Sequence, residues 1–473
     1  MKVCICGATF LAAKERTERR ENLFHSRLFA FFIGYSSGCG FAVLCPFVVE
    51  VNFGRETGES QKELRDAFPI PSVVAVNTRY PLLAVLILGT PLTLPAAGPA
   101  APKFRAVDVD TQIQIGYGVT VADVNGDKKP DILLADKNLI VWYENPGWEK
   151  HVIAEKLTVQ DNVCIAAADI DGDGKCEIAV GAGWNPGDTL NSGALFYLMP
   201  PANRTQKWSP VKLPHEPTVH RIRWAKNADG KLDLVSLPLH GRGNKPNTGE
   251  GMGVKMLALK MPANPEEPWP TELLDDSMHK THNFDPVQWD ADIAQELLVG
   301  GMEGVFLLDS KAGKSHSLQL SGTESGGAGE VRLGKLPGGN RFFATVEPMH
   351  GTNLVVYTEP AKGTGQKLWT RHLLDSSLVD GHALACGDLA GSSSDQIVVG
   401  WRAMGKPGVR VGIKLFTAQD KEGAKWTSTL VDDNTMACED LCLADLDGDG
   451  RLDIIAAGRA TKNVKVYFNQ PAR

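Results

Sequence analysis

The sequence predicts an all-β protein, a seven-bladed β-propeller whose ring is closed by an N-terminal strand that completes the last blade. Three observations support this fold. A four-strand pattern recurs seven times after residue 104. The last copy stops one strand short, whereas a spare strand precedes the first copy. The 49 glycines and 28 prolines are spread along the chain, as many short strands and turns require.

The clearest copy of the repeat covers residues 116–155 and reads as four short strands, GVTVAD, DILLAD, LIVWYEN and EKHVIAE. Each copy is anchored by the residue that opens its second strand. The anchors are Asp131, Glu177, Asp233, Glu296, Phe342, Gln396 and Asp453. They are spaced from 46 residues (131 to 177) to 63 residues (233 to 296), which is typical of blades with variable outer loops.

The two ends of the repeat region complement each other. The last copy ends at VKVYFNQPAR, and the spare strand FRAVDVDTQIQI begins at Phe104. Pairing these segments would close the ring and leave no exposed sheet edge. The alternatives, a two-sheet sandwich or a β-helix, do not explain the missing strand and the spare one.

The segment before the repeats predicts export. Residues 79–101 resemble a secretory signal peptide, with Arg79, a run of about ten apolar residues and small residues at Ala96–Ala101. An internal signal peptide suggests a true start near Val74 or Val76, so that residues 1–78 form a doubtful extension. The alternative is a membrane anchor at Leu28–Val49. Both predict a secreted or periplasmic propeller over residues 104–473.

Charge and motifs exclude several function classes. The formal net charge is −7 and no basic stripe is present, which argues against nucleic-acid binding. The repeat region, residues 104–473, has no nucleophile elbow, no phosphate-binding glycine loop and no HExxH motif. Acyl-enzyme chemistry and nucleotide chemistry therefore have no support.

Three copies contain acidic loops between their first and second strands, with oxygen ligands at positions 1, 3, 5 and 9. The predicted metal ligands are Asp123, Asn125, Asp127 and Asp131; Asp169, Asp171, Asp173 and Glu177; and Asp445, Asp447, Asp449 and Asp453. Calcium takes six to eight oxygen ligands, and a tight loop of this spacing can supply them. We expect calcium in all three loops, in a structural role. A solvated acidic hairpin is the alternative.

The acidic loops and the blade pattern together resemble the FG-GAP/VCBS repeat family, whose relatives include the integrin α-subunit propeller. The resemblance covers residues 104–473, and its motifs are specific in three of the seven blades. It implies a propeller and calcium, but no single function.

Polar residues recur at the opposite end of the blades, where first strands start and second strands end. Histidine and arginine candidates for catalysis are His220, His240, His282, His350, His382 and Arg402; candidates for ligand binding are Tyr117, Trp184, Glu303, Asp440 and Arg459. We expect the five histidines to line one funnel, because their positions correspond between blades. Histidine can transfer protons or ligate a second divalent metal.

The funnel predicts binding of a small polar ligand, with a carbohydrate or other glycan as the expected partner. A sugar lyase is the alternative. The segments HNFDPVQWD and DGHALACGDL resemble the propeller part of aldos-2-ulose dehydratases. That resemblance implies elimination of water from an oxidised sugar, with a histidine as base and a metal or Arg402 stabilising the enolate.

Overall fold

A computed structural model describes residues 27–34, 43–50, 101–309, 316–324, 326–405 and 407–471. The chain divides into two units, Met1–Leu92 and Thr93–Arg473. In the first unit, strands β1 (Arg27–Gly34) and β2 (Val43–Glu50) pair antiparallel. The predicted signal peptide, apart from Ala101, lies outside the described residues. None of the described residues belongs to a helix with the length and hydropathy of a membrane span.

The second unit consists of β-strands that form seven four-stranded antiparallel sheets. In chain order the strands are β3 (Lys103–Asp110), β4 (Gly118–Ala122), β5 (Asp131–Ala135), β6 (Leu139–Glu144), β7 (Glu149–Glu155), β8 (Cys164–Ala168), β9 (Glu177–Ala182), β10 (Ala194–Met199), β11 (Ser209–Leu213), β12 (Val219–Lys226), β13 (Leu232–Pro238), β14 (Met256–Leu259), β15 (Thr271–Asp275), β16 (Thr281–Val287), β17 (Glu296–Gly301), β18 (Gly304–Asp309), β19 (His316–Gln319), β20 (Val331–Lys335), β21 (Arg341–Glu347), β22 (Asn353–Thr358), β23 (Thr370–Asp375), β24 (Gly381–Gly387), β25 (Gln396–Trp401), β26 (Gly412–Ala418), β27 (Trp426–Asp433), β28 (Cys438–Ala444), β29 (Asp453–Gly458) and β30 (Asn463–Gln470).

The sheets follow the repeats, and each is one blade of a seven-bladed propeller. Strands β4–β7 form blade 1, and each following group of four forms the next blade, up to β24–β27 in blade 6. Blade 7 contains β28, β29, β30 and β3. First strands of neighbouring blades contact one another, including β28 with β4, so the blades surround a common central channel.

The spare strand at the start of the second unit lies in the last blade. Strand β3 pairs antiparallel with β30, with Lys103 opposite Gln470 and Val107 opposite Val466. Both strands carry apolar residues at alternate positions, and Val107 and Val466 pack in the same apolar cluster as residues of blade 1. The pairing gives blade 7 its fourth strand.

Second strands are the most buried part of each blade. All residues of β5, β9 and β29 are buried, because both faces of these strands pack against neighbouring blades. The anchor carboxylates at their starts are buried as well. Asp131 accepts hydrogen bonds from the backbone amides of Val124 and Asn145, and Asp453 accepts those of Leu446 and Asn469. Each anchor therefore ties its acidic loop to the third strand of the blade.

Candidate functional site

Four first strands begin with a β-bulge, and in three of them the extra residue is a predicted site residue. In blade 3, Val219 is opposite Pro238 and Arg221 is opposite Leu237, so His220 has no partner on β13. The same shift occurs at His282, His382 and Glu439 in blades 4, 6 and 7. A bulge turns a side chain away from its regular direction and is common beside functional sites. The four bulges place three histidines and a glutamate around one end of the channel.

The rings of four histidines contact one another in this position. The ring of His282 lies 4.6 Å from that of His220, 4.7 Å from that of His350 and 5.4 Å from that of His382, measured between centroids. The His350 and His382 centroids are 4.8 Å apart. His350 comes from the loop after β21 rather than from a first strand. We call His282, His350 and His382 the histidine cluster.

The ring nitrogens of the histidine cluster converge on a single point. One nitrogen from each of the three rings lies within 4.8 Å of the corresponding nitrogens of the other two. The Nε2 atoms of His282 and His350 are 2.7 Å apart. In the absence of a cation, two nitrogens at this distance must share a proton. Three converging imidazole nitrogens are also the donor set of a transition-metal site.

Groups around the histidine cluster fix the other ring nitrogens. Nδ1 of His382 donates a hydrogen bond to the backbone carbonyl of Glu439. Because a carbonyl can only accept, a neutral His382 ring carries its proton on Nδ1 and has a lone pair on Nε2. Nδ1 of His282 lies 3.2 Å from Oε1 of Glu330. Such partners on the second nitrogen are the usual surroundings of metal-binding histidines.

Burial keeps the histidines neutral. It lowers the pKa of His282, and it lowers the pKa values of His220 and His382 well below the usual value near 6.5. His350 differs in exposure, because 41% of its side chain reaches solvent. A neutral imidazole is the form that binds a metal ion.

An ion-pair network surrounds the mouth of the funnel. Arg402 donates to Glu439 at 2.6 Å and to Asp380 at 3.0 Å, and Arg459 donates to the other oxygen of Glu439 at 2.8 Å. Nη2 of Arg402 lies 3.5 Å from Nδ1 of His350. The Arg402 guanidinium is thus fixed next to the exposed histidine, where it could contact a bound ligand.

Two aromatic side chains lie beside this network. Trp184 stacks on His220, with centroids 4.9 Å apart. Tyr117 donates a hydrogen bond from its hydroxyl to Asp161 at 2.9 Å, and its ring is 5.2 Å from the guanidinium carbon of Arg459. Burial and the neighbouring Asp161 carboxylate raise the pKa of Tyr117 to about 12.

Three predicted site residues lie apart from the histidine cluster. His240 forms an isolated β-bridge with Lys280, and among the described residues no ring contact joins it to the other four histidines. Ring contacts therefore join four of the five predicted histidines, and His240 is not among them. Glu303 accepts hydrogen bonds from the backbone and Nδ1 of His279. Asp440 accepts the Val119 amide deeper in the channel, at 2.9 Å.

Sequence reasoning missed Glu330 and Asp380. Glu330 directly precedes β20, where the fifth copy of the repeat begins, and so holds the position that His220 and His282 hold in their copies. A prediction limited to histidines at that position omits its carboxylate. Asp380 precedes Gly381 at the end of a loop and reaches Arg402 through the fold. No local pattern marks Asp380.

The acidic loops lie at the opposite face, because each joins a first strand to a second strand. Carboxylate oxygens of Asp169, Asp171 and Glu177 lie within 4.8 Å of one another in blade 2, and the same holds for Asp445, Asp447 and Asp453 in blade 7. Backbone amides also bind these loops, as Gly172 and Gly174 donate to Asp169. Gly172 has φ 82°, a conformation that favours glycine.

The loop of blade 1 makes similar contacts, but among the described residues its carboxylates do not form a group of three within 4.8 Å. Its Asp123 accepts the amides of Gly126 and Lys128, both at 2.7 Å, and Asn125 donates to Glu144. Lys129 pairs with Asp127 at 3.3 Å. A group of Asp290, Glu296 and Asp309 in blade 4 also brings three carboxylates within 4.8 Å.

Comparison with known proteins identifies one copy of the repeat. Residues 123–180 match the family described as FG-GAP-like repeat. No curated protein matches the chain. One similar structure is a chain of the mitotic checkpoint complex, with 14% identity and a TM-score of 0.48, covering 83% of this chain and 99% of that one.

Two further structures have similar sequence identities and TM-scores. The β-propeller domain of Cps50 (Swd1) from Myceliophteria thermophila has 10% identity and a TM-score of 0.44, covering 77% of this chain and 99% of that one. BBS1N, solved in complex with ARL6DN, has 14% identity and a TM-score of 0.45, covering 79% and 99%. Residues 123–180 are therefore an FG-GAP-like repeat, in a chain that folds as a seven-bladed β-propeller.

Proposed function

We propose that this protein is an exported, calcium-stabilised propeller that binds a small polar ligand, a carbohydrate, at a divalent metal in the histidine-lined funnel. The convergence of nitrogens from His282, His350 and His382 within 4.8 Å carries this proposal. The signal-peptide pattern of residues 79–101 supports export.

The residues of the funnel fit a transition metal. Imidazole nitrogen suits zinc, copper and nickel, whereas calcium and magnesium prefer oxygen. His282 and His382 have their Nδ1 atoms held by Glu330 and by the Glu439 carbonyl, so both can present Nε2. When bound, such a metal would polarise a ligand oxygen. Three protein ligands leave at least one coordination position for that oxygen.

The surroundings of the histidine cluster favour a polyhydroxylated ligand. The Arg402 guanidinium and the Asp380 carboxylate offer a donor and an acceptor beside His350. Trp184 presents an aromatic ring that could pack on the apolar face of a sugar. A purely structural histidine cluster would need neither the charged mouth nor the exposure of His350.

Isothermal titration of the zinc-loaded full chain with aldoses and 2-keto-aldoses tests this function. We expect saturable binding to at least one sugar, which disappears after chelation of zinc. Trp184→Ala should weaken it about fivefold, since stacking on an aromatic ring contributes roughly 1 kcal/mol. Trp289→Ala, which removes a tryptophan from the loop between β16 and β17 at the opposite face, is the matched control and should leave binding unchanged. Sugar binding whose affinity stays the same after chelation of zinc would contradict the proposal.

A sugar lyase is the second candidate, and the pairing of Arg402 with His350 favours it. The exposed His350 could accept a proton next to a carbonyl, while Arg402, 3.5 Å from its Nδ1, stabilises the enolate oxygen. The adjacent hydroxyl would then leave as water. An enone absorbance that develops with a dicarbonyl sugar and disappears in Arg402→Gln would establish the lyase. Binding without any absorbance change would restrict the function to recognition.

The acidic loops of blades 1, 2 and 7 are proposed to hold calcium. In blades 1 and 7, burial raises the pKa of Asp131 and that of Asp453 to about 6, and neighbouring aspartates add to the shift. A raised carboxyl pKa means that the ionised form is disfavoured in the folded state. A bound cation would offset this penalty.

This shift predicts that stabilisation by calcium depends on pH. Below about pH 6, Asp131 and Asp453 are protonated and cannot ligate calcium. The difference in melting temperature between calcium-loaded and calcium-depleted protein should be largest above pH 7 and should decline as the pH falls through 6. Scanning calorimetry from pH 4.5 to 8 measures it. An equal difference at pH 5 and pH 7.5 would argue against these ligands.

A further inference from the structure

The central channel contains a cavity of about 390 Å³ whose walls carry several charged groups. First strands of several blades line it, with Arg221 and Arg223 from blade 3, Asp285 from blade 4, Arg332 from blade 5 and Asp440 from blade 7. A water molecule occupies about 30 Å³ in the liquid, so the cavity has room for a small ion together with several waters.

The three arginines share one fixed conformation. Nη1 of each donates a hydrogen bond to the carbonyl of the preceding residue: Arg221 to His220 at 3.0 Å, Arg223 to Ile222 at 2.8 Å and Arg332 to Val331 at 2.6 Å. Anchored in this way, each guanidinium keeps its remaining N–H groups available. A planar guanidinium held in advance is well suited to bind an oxyanion through two hydrogen bonds.

Carboxylates compensate these positive charges only in part. Arg221 and Arg332 share Glu330, at 3.8 and 3.7 Å, which is longer than a hydrogen bond. Within the described part of the chain, no carboxylate oxygen lies within 4.0 Å of Arg223. Burial lowers the pKa of Arg223, and the neighbouring Arg332 lowers it further. A guanidinium in this environment is destabilised until an anion neutralises it.

Two aspartates also face the cavity and limit its positive charge. Asp285 accepts the Leu333 amide at 3.1 Å, and Asp440 accepts the Val119 amide at 2.9 Å. Both are therefore held by the backbone of other blades rather than by the arginines. Among the described residues, neither aspartate lies within 4.0 Å of an arginine nitrogen. A bound anion would compete with these carboxylates for the arginines, so removing the charge of one aspartate should favour the anion.

We infer that the cavity is a binding site for an oxyanion, a phosphate or carboxylate group, held by Arg221, Arg223 and Arg332. The anion is either free or the acidic group of a ligand whose remainder reaches the histidine cluster. Arg221 connects the two sites through His220, because its Nη1 lies 3.0 Å from Nε2 of His220, whose ring is 4.6 Å from that of His282. The second source rests on the proposed function, and the first does not.

Titration calorimetry of the full chain with inorganic phosphate, at constant ionic strength, tests the site. We expect one saturable site whose affinity falls at least tenfold in Arg223→Gln. Arg341→Gln makes the same chemical change in an arginine that lies over Trp289, away from the cavity, and should bind phosphate as the native protein does. Asp285→Asn keeps an acceptor for the Leu333 amide but removes negative charge, so it should bind phosphate several-fold more tightly.

Further variants separate this site from the funnel. His350→Asn should retain phosphate binding even where it abolishes sugar binding. Gluconate, a sugar acid, distinguishes the two sources of the anion. If gluconate competes with phosphate and its affinity falls in both Arg223→Gln and His350→Asn, a single acidic ligand spans both sites. If its affinity falls in Arg223→Gln alone, the site binds a free anion. If Arg223→Gln does not fold, the phosphate affinities of Arg332→Lys and Asp285→Asn test the site instead. No saturable phosphate binding, or equal affinity in the native protein and these variants, would overturn the inference.

Discussion

The zinc affinity of a His350→Asn variant is expected to fall by more than about a hundredfold. This exceeds the loss caused by removing a residue that only hydrogen-bonds to a metal ligand. His350 supplies one of three converging nitrogens, and asparagine has no imidazole to replace it. Asparagine is the appropriate substitute because His350 has φ 53°, which asparagine tolerates better than alanine does. Competition of the protein with a zinc-binding dye measures the affinity.

The matched control for this variant is His372→Gln. His372 lies in the outer strand β23 and contacts Thr358, at the edge of blade 5. Its replacement should leave zinc affinity unchanged, whereas His382→Gln should reproduce the loss. Unaltered zinc affinity in His350→Asn, together with a native melting curve, would show that the histidines do not form the metal site.

Removal of calcium is expected to lower the melting temperature of the propeller by roughly 5–10 °C. A ligand present at a hundred times its dissociation constant stabilises a fold by about 2.7 kcal/mol per site, and three loops are proposed to bind. Without calcium, carboxylates in one loop repel each other, as those of Asp445, Asp447 and Asp453 would, since they lie within 4.8 Å of one another. Calorimetry before and after calcium depletion measures the change.

Two single substitutions show whether this effect belongs to the predicted loops. Asp169→Asn removes a ligand in blade 2 and should abolish part of the response to calcium. Asp229→Asn makes the same change in the loop between β12 and β13 of blade 3, which is not predicted to bind calcium. Asn227 donates a hydrogen bond to the anchor Asp233 in that loop, and the variant should keep the full response to calcium. Identical responses in both variants would mean that calcium acts elsewhere.

The fold could be predicted because its determinants are local and repeated. The predicted second-strand anchors open or lie one residue inside the observed strands, as Asp131, Glu177 and Gln396 do. The missing and spare strands pointed to the pairing seen between β3 and β30, because an unpaired edge is unfavourable wherever it lies in the sequence. Both the period of the repeat and the pairing of its two incomplete ends can be recognised from the sequence alone.

The site could be predicted only in part, because bulges and long-range contacts decide its details. Histidines at corresponding repeat positions identified His220, His282 and His382. The same reasoning included His240, which forms a bridge with Lys280 and makes no ring contact with the other four histidines among the described residues. Glu330 holds the corresponding position in the fifth copy but is not a histidine. The channel arginines could not be identified, because their role depends on the charges that other blades place opposite them.

The central claim is that His282, His350 and His382 hold a divalent metal. A crystal structure of the full chain grown with zinc, with anomalous data collected at the zinc absorption edge, tests it most directly. The account predicts a peak about 2.0–2.1 Å from one nitrogen of each of the three rings. A map without a peak there, with the His282 and His350 rings still hydrogen-bonded to each other, would contradict it.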